Sequence, residues 1–289
     1  VVLEVGIGGK LDATNCIPAP AAALIAQLGF DHTETLGSTI EEIAAQKGGI
    51  AKSGSQLVMA EQEPAALRVV EQLCREQGCG FTVADPERLQ VLSTSPEGQR
   101  LRDRTYGELL LPLAGSHQVK NAANVLTVVE VLKGEGFAIP DRAVRQGIER
   151  TVWPARFERL SRSPDFILDG GHNPQCVQAA VQALQDYYPG KKVVFLTGMM
   201  KDKDSAAMLA KMAEVAKAFV CLHADSDRAF GAQELAREIE NTLSLAAYPA
   251  ASAQEGCALA QRLAGEQGVV CALGSLYLAG EIRAVFHRE

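Results

Sequence analysis

The apolar positions of this chain recur with two periods, and their alternation predicts the order of its elements. The chain opens on Val1-Val2-Leu3, a continuous apolar run that predicts a buried β-strand. Residues 18–29 are ambiguous, and their alanine content favours a helix. Ile40, Ile43, Ala44 and Lys47 then fall at i, i+3, i+4 and i+7 and share one helical face. Ser38 and Glu41 have the spacing of a capping box before it, and Gly48-Gly49 ends it. A strand over 56–60, a helix over 63–77 and short strands with turns over 81–113 follow. Ala122, Val125, Leu126, Val129 and Leu132 give the next helix an apolar stripe, and Asp141 caps another that runs to about Arg150.

Residues 151–158 read as a joint, because Pro154 discourages a continued helix. Strand and helix alternate beyond it. Strands are expected at 166–168, 192–197, 219–222 and 269–273, with helices at 174–187, 204–217, 231–243 and 255–266. That is the pattern of a small parallel, Rossmann-like sheet. Its first strand is not followed by G-x-G-x-x-G, so it is not read as a dinucleotide site.

Composition narrows the classes. A length of 289 residues is a prior for two domains, and an apolar share of 47% allows cores of ordinary size. The net charge of −7 counts against nucleic acid as a partner. No apolar run approaches the roughly 20 residues needed to span a bilayer, so a soluble, cytoplasmic protein without membrane attachment is expected. The seven cysteines include no C-x-x-C pair and read as reduced structural thiols.

Three places carry candidate chemistry. Glu4 lies where the opening strand meets a turn containing Gly6, Gly8 and Gly9. Glycines let a backbone bend sharply or approach a ligand closely, and ligands in open α/β sheets bind at the carboxyl ends of strands. Glu4 is therefore a candidate metal ligand at a phosphate site; a turn with a solvated glutamate is the plainer reading. Lys47 lies on the apolar stripe at the C-terminal end of its helix. Either it snorkels outward and complements the helix dipole, or its partial burial favours the neutral amine, which can take up CO₂ as a carbamate. Asp169 ends a strand and precedes Gly170-Gly171, which repeats the arrangement at Glu4. Arg100, Arg102 and Arg104 alternate along a strand and are read as a solvated face.

The stretch E-V-G-I-G-G-K-L-D-A-T-N at 4–15 resembles a motif of the folylpolyglutamate synthase/dihydrofolate synthase family of Mur-type ligases. Similar matches run along the chain: Asp31-His32-Thr33 through Gly37, Gln46 through Lys52, Gly115 through Ala123, Trp153 through Glu158, Asp169 through Pro174, and Gly274 through Glu281. Five positions depart from the family pattern. Lys10 stands for Arg, Gln46 for Glu, Gly48 and Gly171 each for Ala, and Ala155 for a Gly. An alanine there would be strained if the turn needs a positive φ. The family carries a G-x-x-x-x-G-K-[ST] phosphate loop upstream of the Glu4 motif, and this sequence contains none. A fragment lacking its N-terminal part is the expectation.

The resemblance implies an α/β protein in which residues 1–152 are the remainder of a truncated Mur-ligase-type central ATPase domain and 153–289 a smaller Rossmann-like C-terminal domain. It implies an ATP-dependent amide ligase that adds L-glutamate to a folate or dihydropteroate carboxylate through an acyl phosphate. Glu4, His32 and a carbamylated Lys47 would hold Mg²⁺, with His32 and Lys47 counted as catalytic. Asn121, Arg156, Asp169 and His172 would meet ATP, and Leu11, Asp12 and Ala13 would border the pterin. The implied partners are small molecules alone, and the implied state is a monomer. A ligase acting on a peptidoglycan precursor and a non-catalytic nucleotide or folate binder are the alternatives.

Overall fold

A computed structural model describes residues 1–30 and 33–286. The chain forms two compact units, one of residues 1–92, 101–109 and 117–150, the other of 93–100, 110–116 and 151–289. Among the described residues no helix is long and apolar enough to cross a membrane.

The first unit contains a parallel sheet of order β1–β2–β3, built from β1 (Ala22–Ile25), β2 (Gln56–Met59) and β3 (Gly80–Val83). The ambiguous segment is thus a strand, for its side chains alternate between core and solvent. A short helix α1 (Thr33–Leu36) precedes α2 (Ile40–Gly48), and α3 (Pro64–Gln77) lies between β2 and β3. Ile25, Ala44, Leu57, Met59, Val70 and Cys74 pack into one core. The cap of α2 is displaced by one residue from the expected frame. Thr39 is the N-cap and Glu42 completes the box, taking the amides of both Ser38 and Thr39. The expected strand at Val1-Val2-Leu3 does not form. Its side chains are exposed, and no strand pairs with the segment among the described residues, so its apolar run has no partner ladder to join.

Three further strands, β4 (Leu89–Ser95), β5 (Gly98–Asp103) and β6 (Gly107–Leu111), form a sheet of that order. Two helices follow, α4 (Ser116–Gly134) and α5 (Asp141–Glu149). The buried face of α4 is Val119, Ala122, Ala123 and Leu126, whereas Val125, placed on the stripe by its spacing, is exposed. Asp141 is not the cap of α5. Pro140 is, and Asp141 occupies the first helical position, where it pairs with Lys133 and suits the helix dipole. Arg102 and Arg104 lie on the solvated face with Glu108 and Asp85 opposite them.

The second unit is built on a sheet of order β11–β10–β9–β12–β8–β7. Its strands are β7 (Glu158–Arg162), β8 (Asp165–Leu168), β9 (Val193–Thr197), β10 (Ala216–Cys221), β11 (Ala247–Pro249) and β12 (Val269–Ala272). All neighbours pair in parallel except β7, which runs antiparallel to β8. The expected parallel sheet is present with two strands added, β7 and β11. Residues 204–217 were expected to be one helix, but the helix stops at Ala213 because Ala216 pairs with Val193 on β9. Three helices, α6 (Pro174–Tyr187), α7 (Ser205–Ala213) and α8 (Ala232–Leu243), pack on one sheet face through Val181, Met212 and Ile239. Two others, α9 (Ala253–Ala264) and α10 (Leu276–Phe286), cover the opposite face through Cys257 and Ile282. None of the seven cysteines forms a disulfide. Burial pushes Cys221 and Cys257 up to about 12, as suits inert core thiols.

The first unit also buries an ion pair, Arg88 with Asp103, whose arginine reaches out to the exposed Glu130. Arg88 Nε donates to Asp103 at 2.7 Å, and its terminal nitrogens grip Glu130 at 2.6 and 3.1 Å. The other Asp103 oxygen accepts from the amides of Thr105 and Tyr106. Burial pushes the Asp103 carboxyl up, but Arg88 and these amides outweigh it and hold the carboxyl below its ordinary value. Removing one partner strands a buried charge, so Arg88→Met is expected to cost about 3 kcal/mol in urea unfolding at neutral pH. Because the folded pKa of Asp103 is lowered, its contribution is full above the ordinary carboxylate range and fades as pH falls. The stability gap between wild type and Arg88→Met should therefore narrow in acid.

Candidate functional site

In the first unit the glycine-rich turn is folded around one carboxylate. Asp12 Oδ2 accepts from the amides of Gly6 and Ile7, both at 3.0 Å, while Oδ1 accepts from the Thr14 amide at 2.9 Å and its hydroxyl at 2.6 Å. The Thr14 bonds above all lower the Asp12 carboxyl to about 2. The turn is docked on the C-terminal end of α2. Lys10 N donates to Gln46 O at 2.9 Å, Asn15 Nδ2 donates to Gly49 O at 3.0 Å, and Lys52 Nζ donates to Asn15 O and Ile17 O. Two glycines make this contact possible. A Cβ at Gly9, whose φ is +153°, would stand 3.0 Å from Lys47 O, and one at Gly49 would stand 2.7 Å from Lys10 Cα.

Docking brings the turn to the helix end that carries Lys47. Lys47 is half-buried in the last turn of α2, and its amine has no polar partner among the described residues. Glu4 is exposed and likewise without a partner there. His32, the third expected ligand, lies outside the described residues. No group of three or more His, Cys, Asp or Glu side chains converges among the described residues. Among the described residues, the expected ligands present are one uncommitted carboxylate and one lysine that becomes an oxygen ligand only as a carbamate. Leu11 is almost fully exposed beside the turn and Ala13 is exposed, whereas Asp12 is engaged by its own loop. Asn121 lies on the exposed side of α4, near its start, and donates to Gln118 at 3.0 Å.

In the second unit the candidate residues gather at the carboxyl edge of the sheet. β8 and β12 are parallel neighbours, yet α6 leaves β8 for one face and α10 leaves β12 for the other. Such a divergence opens a crevice where ligands of α/β sheets bind. Asp169, buried at the end of β8, accepts from Phe157 N at 2.9 Å on one oxygen and from Gly171 N at 2.7 Å on the other. Gly170 N donates to Ala155 O at 2.8 Å, so the 153–158 segment is sewn to the turn after β8. Arg156 is half-buried there, with Nη1 beside Gly170. His172 Nδ1 is 3.0 Å from Gly170 O. Asn173 caps α6 by accepting from Cys176 N.

Two residues with no expected role belong to this edge. Thr197, at the end of β9, and Ser275, before α10, are buried, and their hydroxyls have no hydrogen-bond partner among the described residues. A buried unpaired hydroxyl is costly, and a ligand is one way to satisfy it. Ser275 lies in a stretch whose motif was recognisable; nothing local marked Thr197. A cleft of about 370 Å³ runs along the 151–162 segment and is lined by Pro96, Pro112, Trp153, Arg156 and Arg162.

The domain described as "Mur ligase, glutamate ligase domain" matches residues 155–276. A dihydrofolate synthase/folylpolyglutamate synthase of Bacillus subtilis is 31% identical over 98% of this chain and 66% of its own length. The solved folylpolyglutamate synthase of Mycobacterium tuberculosis complexed with ADP superposes with a TM-score of 0.85 at 29% identity, covering 99% of this chain and 67% of that one. A bifunctional folylpolyglutamate synthase/dihydrofolate synthase of Yersinia pestis, complexed with AMPPNP and a Mn ion, gives 0.79 at 27% identity over 98% and 65%. The chain therefore spans about two thirds of the length of each of these relatives.

The Asp12 geometry generates a prediction. Asp12→Ala should speed amide exchange at Gly6, Ile7 and Thr14 while the core of β2 and α3 keeps its protection. In the wild type a carboxyl lowered to about 2 keeps these bonds above that pH and loses them only as pH falls through it. Exchange measured down the acid range should show the turn outlasting the ordinary carboxylate titration.

Proposed function

Because the chain belongs to the folylpolyglutamate synthase/dihydrofolate synthase family of Mur-type ligases, we propose that it serves an ATP-dependent amide ligase joining L-glutamate to a folate or dihydropteroate. A carboxylate oxygen of the pteroate or folate attacks the γ-phosphorus of ATP, and ADP leaves. The amine of glutamate then attacks the acyl phosphate, the amide bond forms, and inorganic phosphate departs with release of a proton. Little covalent chemistry falls to the protein in such a reaction; it positions the partners and stabilises charge.

The observation that carries this reading is the carboxyl edge of the second unit. Arg156 is held beside Gly170 at this edge, where two buried hydroxyls have no hydrogen-bond partner among the described residues. Guanidinium stays charged and is planar, which suits phosphate oxygens. We assign Arg156 and His172 to the nucleotide, with Asp169 shaping their loops through the Phe157 and Gly171 amides. Asn121, in the first turns of α4, is the nucleotide contact proposed for the first unit, by its match to the family motif. ADP and AMPPNP in the mycobacterial and Yersinia relatives support a nucleotide here, and the Mn ion in the latter supports a divalent cation.

Glu4, His32 and a carbamylated Lys47 are the proposed ligands of Mg²⁺. The carbamate forms when the neutral amine of Lys47 adds to CO₂ and gives up a proton. A bound cation would neutralise charge on the phosphate oxygens. The supporting observations are the uncommitted side chains of Glu4 and Lys47 and the docking of the turn on the end of α2. Leu11 and Ala13, exposed beside that turn, are the proposed border of the pterin, with Asp12 fixing the loop that presents them. Residues 1–152 are proposed as part of a central ATP-binding domain and 153–289 as the C-terminal ligase domain, in a monomer of the cytoplasm.

ADP release by the full-length protein tests the reading, with Mg-ATP, glutamate and bicarbonate, and dihydropteroate or tetrahydrofolate in separate reactions. Release with both substrates marks a bifunctional enzyme, and release with one identifies the acceptor. A folded protein that binds ATP yet releases ADP with neither would sink the assignment. Lys47→Ala is expected to abolish turnover, with added bicarbonate unable to restore it; wild-type activity in that variant would remove Lys47 from the site.

A further inference from the structure

We propose that Glu158 and Arg283 are a positioning pair that holds Arg156 toward the nucleotide by fixing a left-handed backbone at Ala155. The inference rests on the assignment of Arg156 to the nucleotide made above. Ala155 has φ +56° and Phe157 has φ +49°. A left-handed residue with a Cβ is strained, so two of them around one arginine will relax unless neighbours hold them.

The two side chains are anchored in opposite layers. Ala155 is buried in the core on the α9–α10 face, and Phe157 in the core on the α6–α8 face, where its ring is 5.6 Å from that of Tyr187. The segment thus straddles the end of the sheet, and Arg156, between the two anchors, is left at its crest. Phe157 is fixed by Asp169 through its amide. Ala155 is fixed through its carbonyl by Gly170 N and through its amide by Glu158 Oε2 at 2.9 Å. Glu158 would be a loose clamp alone. Arg283 on α10 makes it a stiff one, because Nε reaches both carboxylate oxygens, at 3.0 and 3.2 Å. α10 also begins directly after Ser275, so the segment that presents this hydroxyl leads into the helix that braces the arginine loop.

The pair is partly exposed, with the Glu158 side chain 22% and the Arg283 side chain 40% accessible, and exposed ion pairs add little to stability. Its effect is therefore expected in orientation and not in the melting temperature. ADP is the probe, its Kd measured by calorimetry, and the emission of Trp153, the sole tryptophan, reports the loop without ligand. Glu158→Ala and Arg283→Ala should each raise the ADP Kd about tenfold, which corresponds to about 1.4 kcal/mol. Both should shift Trp153 emission with little change in Tm. Glu158→Gln, which keeps an oxygen for the Ala155 amide, should be milder.

Adding Ala155→Gly to Glu158→Ala should restore both Kd and emission, because glycine adopts positive φ without a clamp. A merely structural role predicts no such rescue. Unchanged Kd and emission in Glu158→Ala, or failure of the glycine to restore them, would overturn the pair. If the wild-type protein bound no ADP, the nucleotide assignment would fall, and Trp153 emission alone would decide whether the clamp exists.

Discussion

The carboxylate of Asp169 is the contact on which the carboxyl edge of the second unit, with its candidate residues, depends. It is buried at the end of a strand, where an unpaired charge could not persist. Its two oxygens satisfy two amides from separate segments, Phe157 before β7 and Gly171 after β8. Bonds to an ionised acceptor are stronger than neutral ones, so this residue fixes both loops at once. The crest that carries Arg156, the turn that carries His172 and the entry to α6 take their geometry from it. The adjacent pairing of β8 and β12 then sets those loops beside Ser275 and the start of α10.

The first unit repeats the device with Asp12, under different conditions. Asp12 holds four donors, but it does so near solvent, and the loop is secured by further bonds to the end of α2. Lys52 is the strongest of these ties, since its ammonium reaches two carbonyls of the loop, Asn15 and Ile17. In both units an aspartate within a candidate motif organises backbone, and its neighbours are the groups left available for ligands. A motif aspartate need not touch the substrate to be indispensable to the site.

How much of this was legible follows from how local each feature is. The strands β2 and β9 and the helix α3 were written in short-range periodicity, and so was the alternation of the second unit. Ser38–Glu41 and Thr39–Glu42 have the same spacing, and only the helix frame distinguishes them; the second pair is the one used. The end of α7 was hidden because alanines continue past it, while pairing of Ala216 with β9 decides the matter. The Arg88, Asp103 and Glu130 cluster joins positions far apart in the chain, and no local pattern announces it. The motifs marked Asp12, Lys47, Arg156 and Asp169 as residues of interest. They could not say that the aspartates would be engaged by amides, nor that Thr197 and Glu158 belong to the same edge.

The departures from the family pattern make physical sense once the contacts are known. At Lys10 the structure uses the backbone amide, which donates to Gln46 O, and at Gln46 it uses that carbonyl. Neither bond depends on the side chain, so exchanging arginine for lysine or glutamate for glutamine leaves the docking of the turn intact. Ala155 also engages through its amide and carbonyl. It differs in one respect, because its backbone lies at positive φ, where side-chain identity matters even when the contacts are made by main chain. Of these three substitutions it alone changes an energy that the fold must offset. That is why the compensation is to be sought in the carboxylate and arginine that grip it, and not around Lys10 or Gln46.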